Sequence, residues 1–210
     1  TPLAAIHGYA ELIQKNNAET RIDRYSEHIR LSSQRMLAML NSLLDFFRLD
    51  NGKEQPVSIP FRLEDIARIL KAEFQNMAES KNLCLAIENN ADVILTGDKN
   101  RILQIGNNLL SNAIKYTKQG GISIYMEEGD GKVLVISDTG IGIAPEDQPR
   151  IFEKGFTGYN GRHDKKSTGI GLYLCRRILN RLSHTVSVES EPGIGTKIRL
   201  HLDTVQLETE

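Results

Sequence analysis

The 210-residue chain is 40% hydrophobic and 25% charged with a formal net charge of −1, which describes a packed globular protein of one mid-sized domain plus a smaller element. Such a balance gives no general field for nucleic acid or an anionic membrane, so any anion site has to be built locally. Cys84 and Cys175 are isolated thiols; they exclude a disulfide framework or zinc site and read as core residues in a reducing compartment. No apolar run approaches the roughly 20 residues that span a bilayer, and nothing reads as a signal peptide. The opening Thr1-Pro2, without an initiator Met, reads as part of something longer.

Pro2 suits the first turn of a helix, and Leu3, Ile6, Ala10 and Ile13 recur at three- and four-residue steps. From Arg21 onward Tyr25, Ile29, Ser32, Met36, Met39, Leu40, Leu43, Phe47 and Leu49 trace a broad apolar stripe, with no glycine or proline until Gly52. The polar segment from Lys15 to Thr20 reverses the chain, predicting an antiparallel helical hairpin. Two helices cannot bury both stripes alone. Pairing with an identical hairpin into a four-helix bundle does so, with packing on the neighbouring domain as the alternative. Asn51-Gly52 and Gln55-Pro56-Val57-Ser58-Ile59-Pro60 read as a linker. The expected division is a hairpin over 1–52, a linker over 53–60, a larger domain over 61–204 and a tail over 205–210.

Helical periodicity resumes at Leu63 to Met77, with Ile66, Ile69 and Leu70 inward, followed by β-like runs at Leu83 to Ile87 and Val93 to Leu95. Asp98 is placed to cap a helix running to Tyr116 that buries Ile102, Ile105, Leu109 and Ala113. On it Asn108, Asn112 and Lys115 fall three or four apart and can project into one cleft. Amide oxygens can join water and phosphate oxygens around Mg²⁺, and the ammonium can reach a phosphate. A solvated polar stripe is the default for any one Asn, yet the surrounding segment is otherwise apolar.

Two strands, Ile122 to Met126 and Val133 to Ser137, form a hairpin and lead to Ile136-Ser-Asp-Thr-Gly-Ile-Gly-Ile-Ala-Pro-Glu-Asp147. Here a buried strand ends in Asp138, placed to accept a hydrogen bond from an exocyclic amine such as adenine N6. Gly140 and Gly142 let a flat ligand lie against the main chain. Taken alone, Asp-x-Gly-x-Gly is an ordinary strand-to-loop corner. The long segment from Ala144 to Ser167 reads as a lid or binding loop, pinned at its base by Phe152 and Phe156. Lys154 could meet phosphate, whereas Arg162, Lys165 and Lys166 read better as solvent-facing. Ser167-Thr168-Gly169-Ile170-Gly171-Leu172 opens a helix through Leu182 whose N-terminal amides form an anion site. Val186 to Ser190, the turn Glu191 to Thr196, and Lys197 to Leu202 close the domain as a hairpin. Gly161 to Ser167 lacks a P-loop's second glycine and preceding strand, and Gly169-Ile-Gly-Leu-Tyr-Leu lacks the third glycine of a dinucleotide fingerprint.

The asparagine helix, the Asp138 turn, the aromatic-anchored lid, the Thr168-Gly-Ile-Gly helix start and the Gly193-x-Gly195 turn, in that order, resemble the N, G1, F, G2 and G3 boxes of the ATP-binding domain of sensor histidine kinases. Thr1-Pro2-Leu3-Ala4-Ala5-Ile6 with Gly8-Tyr9 looks like the end of that family's H box, so the resemblance covers nearly the whole chain. It implies an α+β two-layer sandwich of the Bergerat type, preceded by a hairpin that dimerises through residues 1–50. It implies ATP and Mg²⁺ as cofactors and a response-regulator receiver domain as partner, with no nucleic acid and no membrane contact by this segment. The setting implied is cytoplasmic, as the soluble part of a membrane-bound sensor. By resemblance Asp138 binds adenine, Tyr116 packs on the base, Asn112 with Asn108 holds Mg²⁺, and Lys115 contacts phosphate. Gly140, Gly142, Ile143, Lys154, Phe156, Thr168, Gly169, Ile170, Gly171, Leu172 and Thr196 complete the nucleotide site.

The family's phosphorylated histidine lies just before Thr1, so none of the chain's histidines is the acceptor. His7 has no following acidic partner and reads as a helix-surface residue. Thr1 aligns with a position implicated in dephosphorylating the regulator. ATP hydrolases of the same superfamily resemble this domain but carry a general-base Glu at the position of Asn108, which cannot take the proton. A scaffold that uses ATP only to set conformation is the rival from a different class.

Overall fold

The computed structural model describes residues 2–15, 19–50, 57–88, 93–127, 132–158 and 169–202, and the chain divides into two units, Thr1–Lys53 and Glu54–Glu210. In the first, α1 (Pro2–Lys15) packs on α2 (Glu19–Asp50). Tyr9 stacks on His28 with ring centroids 4.7 Å apart and meets Tyr25 at 5.7 Å, while Ser32 is buried between the helices. Leu37, Leu40, Leu44 and Phe47 recur every three or four residues along α2, yet each stays 47–58% exposed. Half the apolar stripe thus has no cover within one hairpin. The side chains of Met39, Leu43 and Leu49 lie outside the described residues. His7 does have an acidic neighbour, contrary to the sequence reading: its Nε2 lies 3.2 Å from Glu11 Oε1, one helical turn on. Both side chains are more than half exposed, as on a helix surface.

The second unit sets three helices, α3 (Leu63–Glu79), α4 (Lys99–Tyr116) and α5 (Gly171–Arg181), on a five-stranded sheet. The strands are β2 (Cys84–Glu88), β4 (Gly121–Glu127), β5 (Val133–Asp138), β6 (Thr185–Glu191) and β7 (Gly195–His201), in the order β2-β4-β5-β7-β6. Only β2 and β4 run parallel. Alternation sends Ile122, Ile124 and Met126 of β4 and Ile198 and Leu200 of β7 into the core. There they meet Ile66, Leu70, Ile102, Ile105, Leu110, Ile114, Leu174 and Ile178 at 0–1% exposure. Each such side chain contributes roughly 1.5–3 kcal/mol by leaving water. α3 and α4 lie so close that a Cβ on Gly106 would stand 2.5 Å from Leu70 Cδ1.

α4 is fixed at both ends. Asp98, 8% exposed, accepts from the Arg101 amide at 3.1 Å through Oδ1, as its N-cap role requires, and from the Val57 amide at 3.3 Å through Oδ2. At the other end Lys81 Nζ donates to the Ile114 carbonyl at 2.6 Å, and Thr117 Oγ1 donates to the Ala113 carbonyl at 2.7 Å.

Several local expectations are corrected. Ile59 and Pro60, read as linker, belong to β1 (Ile59–Arg62), which pairs antiparallel with β3 (Ile94–Gly97); a proline is tolerated at such an edge. Ile69 is 41% exposed instead of inward, because the buried stripe of α3 runs through Ile66, Ala67, Leu70 and Phe74. Cys84 is exposed, not a core residue, whereas Cys175 is buried, its thiol pushed up to about 12 by burial. The last helix begins at Gly171 and not at Ser167.

Candidate functional site

β5 delivers Asp138 to the end of the sheet, where the chain turns and Asp138 Oδ1 accepts from the Gly140 amide at 2.8 Å. Burial raises the Asp138 carboxyl above the ordinary aspartate range, while the amides of Gly140 and Thr196 pull it back. The turn rests on the last residue of α4: the Ile141 amide donates to the Tyr116 carbonyl at 3.2 Å. Gly142 sits at φ +69°, and a Cβ there would come within 2.1 Å of the Glu191 carbonyl oxygen. The turn and the β6–β7 hairpin therefore touch main chain to main chain, as the Gly193 amide donating to Ile141 O at 2.9 Å confirms. Ile143 is held by its amide on Ser190 Oγ at 2.8 Å and by its carbonyl, which accepts from Gln148 Nε2 at 3.0 Å. Gln148 Nε2 also reaches Ser190 O at 2.7 Å. Thr196 pairs with Asp138 across β7 and β5, and its Oγ1 lies 2.9 Å from Ser190 Oγ.

Eight residues before Tyr116 on the same helix, Asn108 anchors its Nδ2 on Gln104 O at 3.1 Å and turns Oδ1 toward the start of α5, 3.0 Å from where a Gly171 Cβ would stand. α5 begins after Ile170 with no side-chain cap, so its first turn presents amide donors at the positive end of the helix. Gly169, at φ +65°, donates no side chain to the space and accepts from the Gly155 amide at 3.0 Å; a Cβ on it would lie 2.5 Å from Gly155 C. This contact joins the helix start to the segment carrying Phe156, whose ring lies 4.6 Å from the Arg150 guanidinium carbon. Phe152 is buried and Lys154 exposed. Asn112 and Lys115 are half-buried on α4, with Lys115 Nζ 5.0 Å from the Tyr116 ring centroid.

One cluster thus gathers Asp138, Gly140, Gly142, Ile143, Thr196 and the Tyr116 main chain; a second gathers Asn108, Gly169, Ile170, Gly171 and the Phe156 segment. α4 spans from one to the other. Leu172 is half-buried in the first turn of α5, while Thr1 and Thr168 lie outside the described residues. Sequence reasoning passed over Gln148 and Ser190. Their contacts with Ile143 and with each other join residues up to 47 apart, and a lone Gln or Ser carries no periodic or motif signal.

Residues 97–206 match the family model "Histidine kinase-, DNA gyrase B-, and HSP90-like ATPase", and residues 1–52 match "His Kinase A (phospho-acceptor) domain". The chain belongs to the sensor histidine kinases. Among curated members, it is 30% identical over 206 residues to the sensor histidine kinase RcsC of Escherichia coli (strain K12), covering 96% of this chain and 22% of that protein. It is 33% identical over 213 residues to the autoinducer 2 sensor kinase/phosphatase LuxQ of Vibrio cholerae, covering 96% of this chain and 24% of that one. The chain therefore spans about a quarter or less of these relatives' length. The histidine kinase ThkA, crystallised with response regulator protein TrrA, shares the fold with a TM-score of 0.77 at 21% identity, covering all of this chain and 59% of that one. No helix among the described residues is long and apolar enough to cross a membrane.

Proposed function

We propose that this chain is the phosphotransfer hairpin and ATP-binding core of a two-component sensor kinase. It binds Mg-ATP and presents the γ-phosphoryl group to a histidine N-terminal to Thr1, from which the group passes to a response-regulator aspartate. The observation that carries the reading is the span of α4 between a buried carboxylate turn and an uncapped helix start. This single rigid element sets an adenine acceptor and a phosphate cradle at a fixed separation. A likeness to ThkA, whose structure was solved with a response regulator, supports a receiver domain as partner. The half-exposed Leu37, Leu40, Leu44 and Phe47 support a homodimer through residues 1–50, and the family supports a cytoplasmic setting.

Asp138 accepts from the adenine amine, the Tyr116 ring covers the base, and the Gly140–Ile143 main chain bounds its edge. The Gly169–Leu172 amides and Lys115 receive phosphate oxygens, with Lys154 and Thr168 at the lid. Asn108 and Asn112 fit a magnesium ion: they offer neutral hard oxygens, and no cluster of His, Cys, Asp or Glu that could hold a metal exists among the described residues. Such a donor set leaves most ligands to water and phosphate, as Mg²⁺ prefers. Bound there, the ion would neutralise charge developing on the transferring group. The protein's share is positioning and charge complementarity, and Asn108 offers no base to activate water. Titration calorimetry with Mg-ATP tests this: saturable one-site heat, abolished in Asp138→Asn, is expected, and no heat contradicts it. Thr1, proposed to act in regulator dephosphorylation, is tested separately by Thr1→Ala in the parent protein, which should lose regulator dephosphorylation while keeping phosphoryl transfer.

A further inference from the structure

The Ser190 hydroxyl makes three contacts: 2.8 Å to the Ile143 amide, 2.8 Å to the Gly195 carbonyl and 2.9 Å to Thr196 Oγ1. It owns one proton. The Gly195 carbonyl can only accept, so it takes that proton, and the Ile143 amide can only donate, so it fills one lone pair of Oγ. What remains toward Thr196 is an acceptor lone pair, and Thr196 must therefore donate. With its proton committed to Ser190, Thr196 Oγ1 faces the other way as an acceptor. Thr196 stands opposite Asp138 across β5 and β7, on the same face of the sheet. The base end of the groove then shows two acceptors side by side, the Asp138 carboxylate and the Thr196 oxygen.

We propose that Ser190 is a specificity-determining positioning residue: by fixing the direction of the Thr196 hydrogen bond it makes the base end of the groove acceptor-only, so that the groove takes a 6-amino purine nucleotide and rejects a 6-oxo one. Adenine presents an N6 amine donor where guanine presents the O6 acceptor. An acceptor-only wall meets the first with hydrogen bonds and the second with lone-pair repulsion. Gln148 completes the frame from its two carbonyl contacts at Ile143 and Ser190, but it touches neither acceptor and acts on position alone. The inference rests on the ATP reading above and adds to it the device that selects the base.

The test is the ratio of GTP to ATP dissociation constants, measured by titration with magnesium on the full chain and on Ser190→Ala, Ser190→Thr, Thr196→Val and the Ser190→Ala/Thr196→Val double variant, with thermal unfolding recorded for each. In Ser190→Ala the Thr196 hydroxyl is free to rotate and donate, and the ratio falls by roughly five- to tenfold, the worth of one directed hydrogen bond. Ser190→Thr, which keeps the hydroxyl, restores it. Thr196→Val lowers the ratio to a similar extent, and the double variant goes no further, since both changes remove one interaction. Equal weakening of ATP and GTP in Ser190→Ala reduces Ser190 to a structural role and overturns the proposal, as do additive losses in the double variant. If Ser190→Ala does not unfold cooperatively, an unchanged ratio in Thr196→Val overturns it alone. A parent chain that binds ATP and GTP equally sinks this inference and leaves the ATP reading standing; one that binds neither sinks both.

Discussion

The two ends of α4 are built differently. At its C-terminal end the Asp138 turn is locked by hydrogen bonds from three directions: Tyr116 O below, Ser190 and Gln148 on one side, and the Gly193 amide on the other. At the level of Asn108 the described contacts are fewer, chiefly the Gly155–Gly169 main-chain bond and the Asn108 amide facing Gly171. The base end is thus rigid before a ligand arrives, while the phosphate end is made of helix-borne amides and ammonium groups whose charge the ligand completes. Base recognition should therefore fail through backbone strain, and phosphate recognition through loss of single charges or oxygens.

The largest expected effect comes from straining the rigid end. Gly142→Ala places a methyl group against the Glu191 carbonyl at positive φ and should cost about 3 kcal/mol in chemical denaturation. Next is Asp138→Asn, which keeps an oxygen for the Gly140 amide but presents a donor to the base, and should weaken ATP roughly 100-fold by calorimetry. The same change should stabilise the empty protein. The folded pKa of Asp138 is raised, so its contribution is full below the unfolded pKa and lost as pH rises through the folded one. The variant's advantage in unfolding free energy should open with rising pH between those two values and stay constant up to neutrality.

At the other end, Asn112→Ala should weaken Mg-ATP roughly tenfold yet leave adenosine binding unchanged. Equal losses for both ligands would erase the distinction between the two ends. The smallest effect is that of Lys81→Met, which frees the Ile114 carbonyl at the end of α4. It should cost about 1 kcal/mol of stability, read from the denaturation midpoint, and shift ATP affinity less than the changes above.

Much of this was legible in the sequence wherever one period governed. The apolar spacing from Ile102 to Ala113, the Asp98 cap and the alternation of Ile122, Ile124 and Met126 all stand as read. Ile69 was misplaced because α3 offers apolar residues on two adjoining faces, and only packing against α4 selects the one through Ile66 and Leu70. β1 was hidden by Pro60 and by a partner strand 35 residues away, Ile59 pairing with Gly97 and Arg62 with Ile94. The site's motif residues announced themselves by glycine spacing. The hydrogen bonds that hold them come from Ser190 and Gln148, whose importance arises only when β6 folds back beside the Asp138 turn.

The central claim is that one groove, spanned by α4, takes adenine at Asp138 and phosphates at the start of α5. A crystal structure of the chain with Mg²⁺ and a non-hydrolysable ATP analogue tests it most directly. The account predicts the adenine amine within hydrogen-bonding distance of the Asp138 carboxylate, phosphate oxygens on the Gly169–Leu172 amides, and the metal on Asn112. A nucleotide bound elsewhere, or in this groove with base and phosphates exchanged, would contradict it.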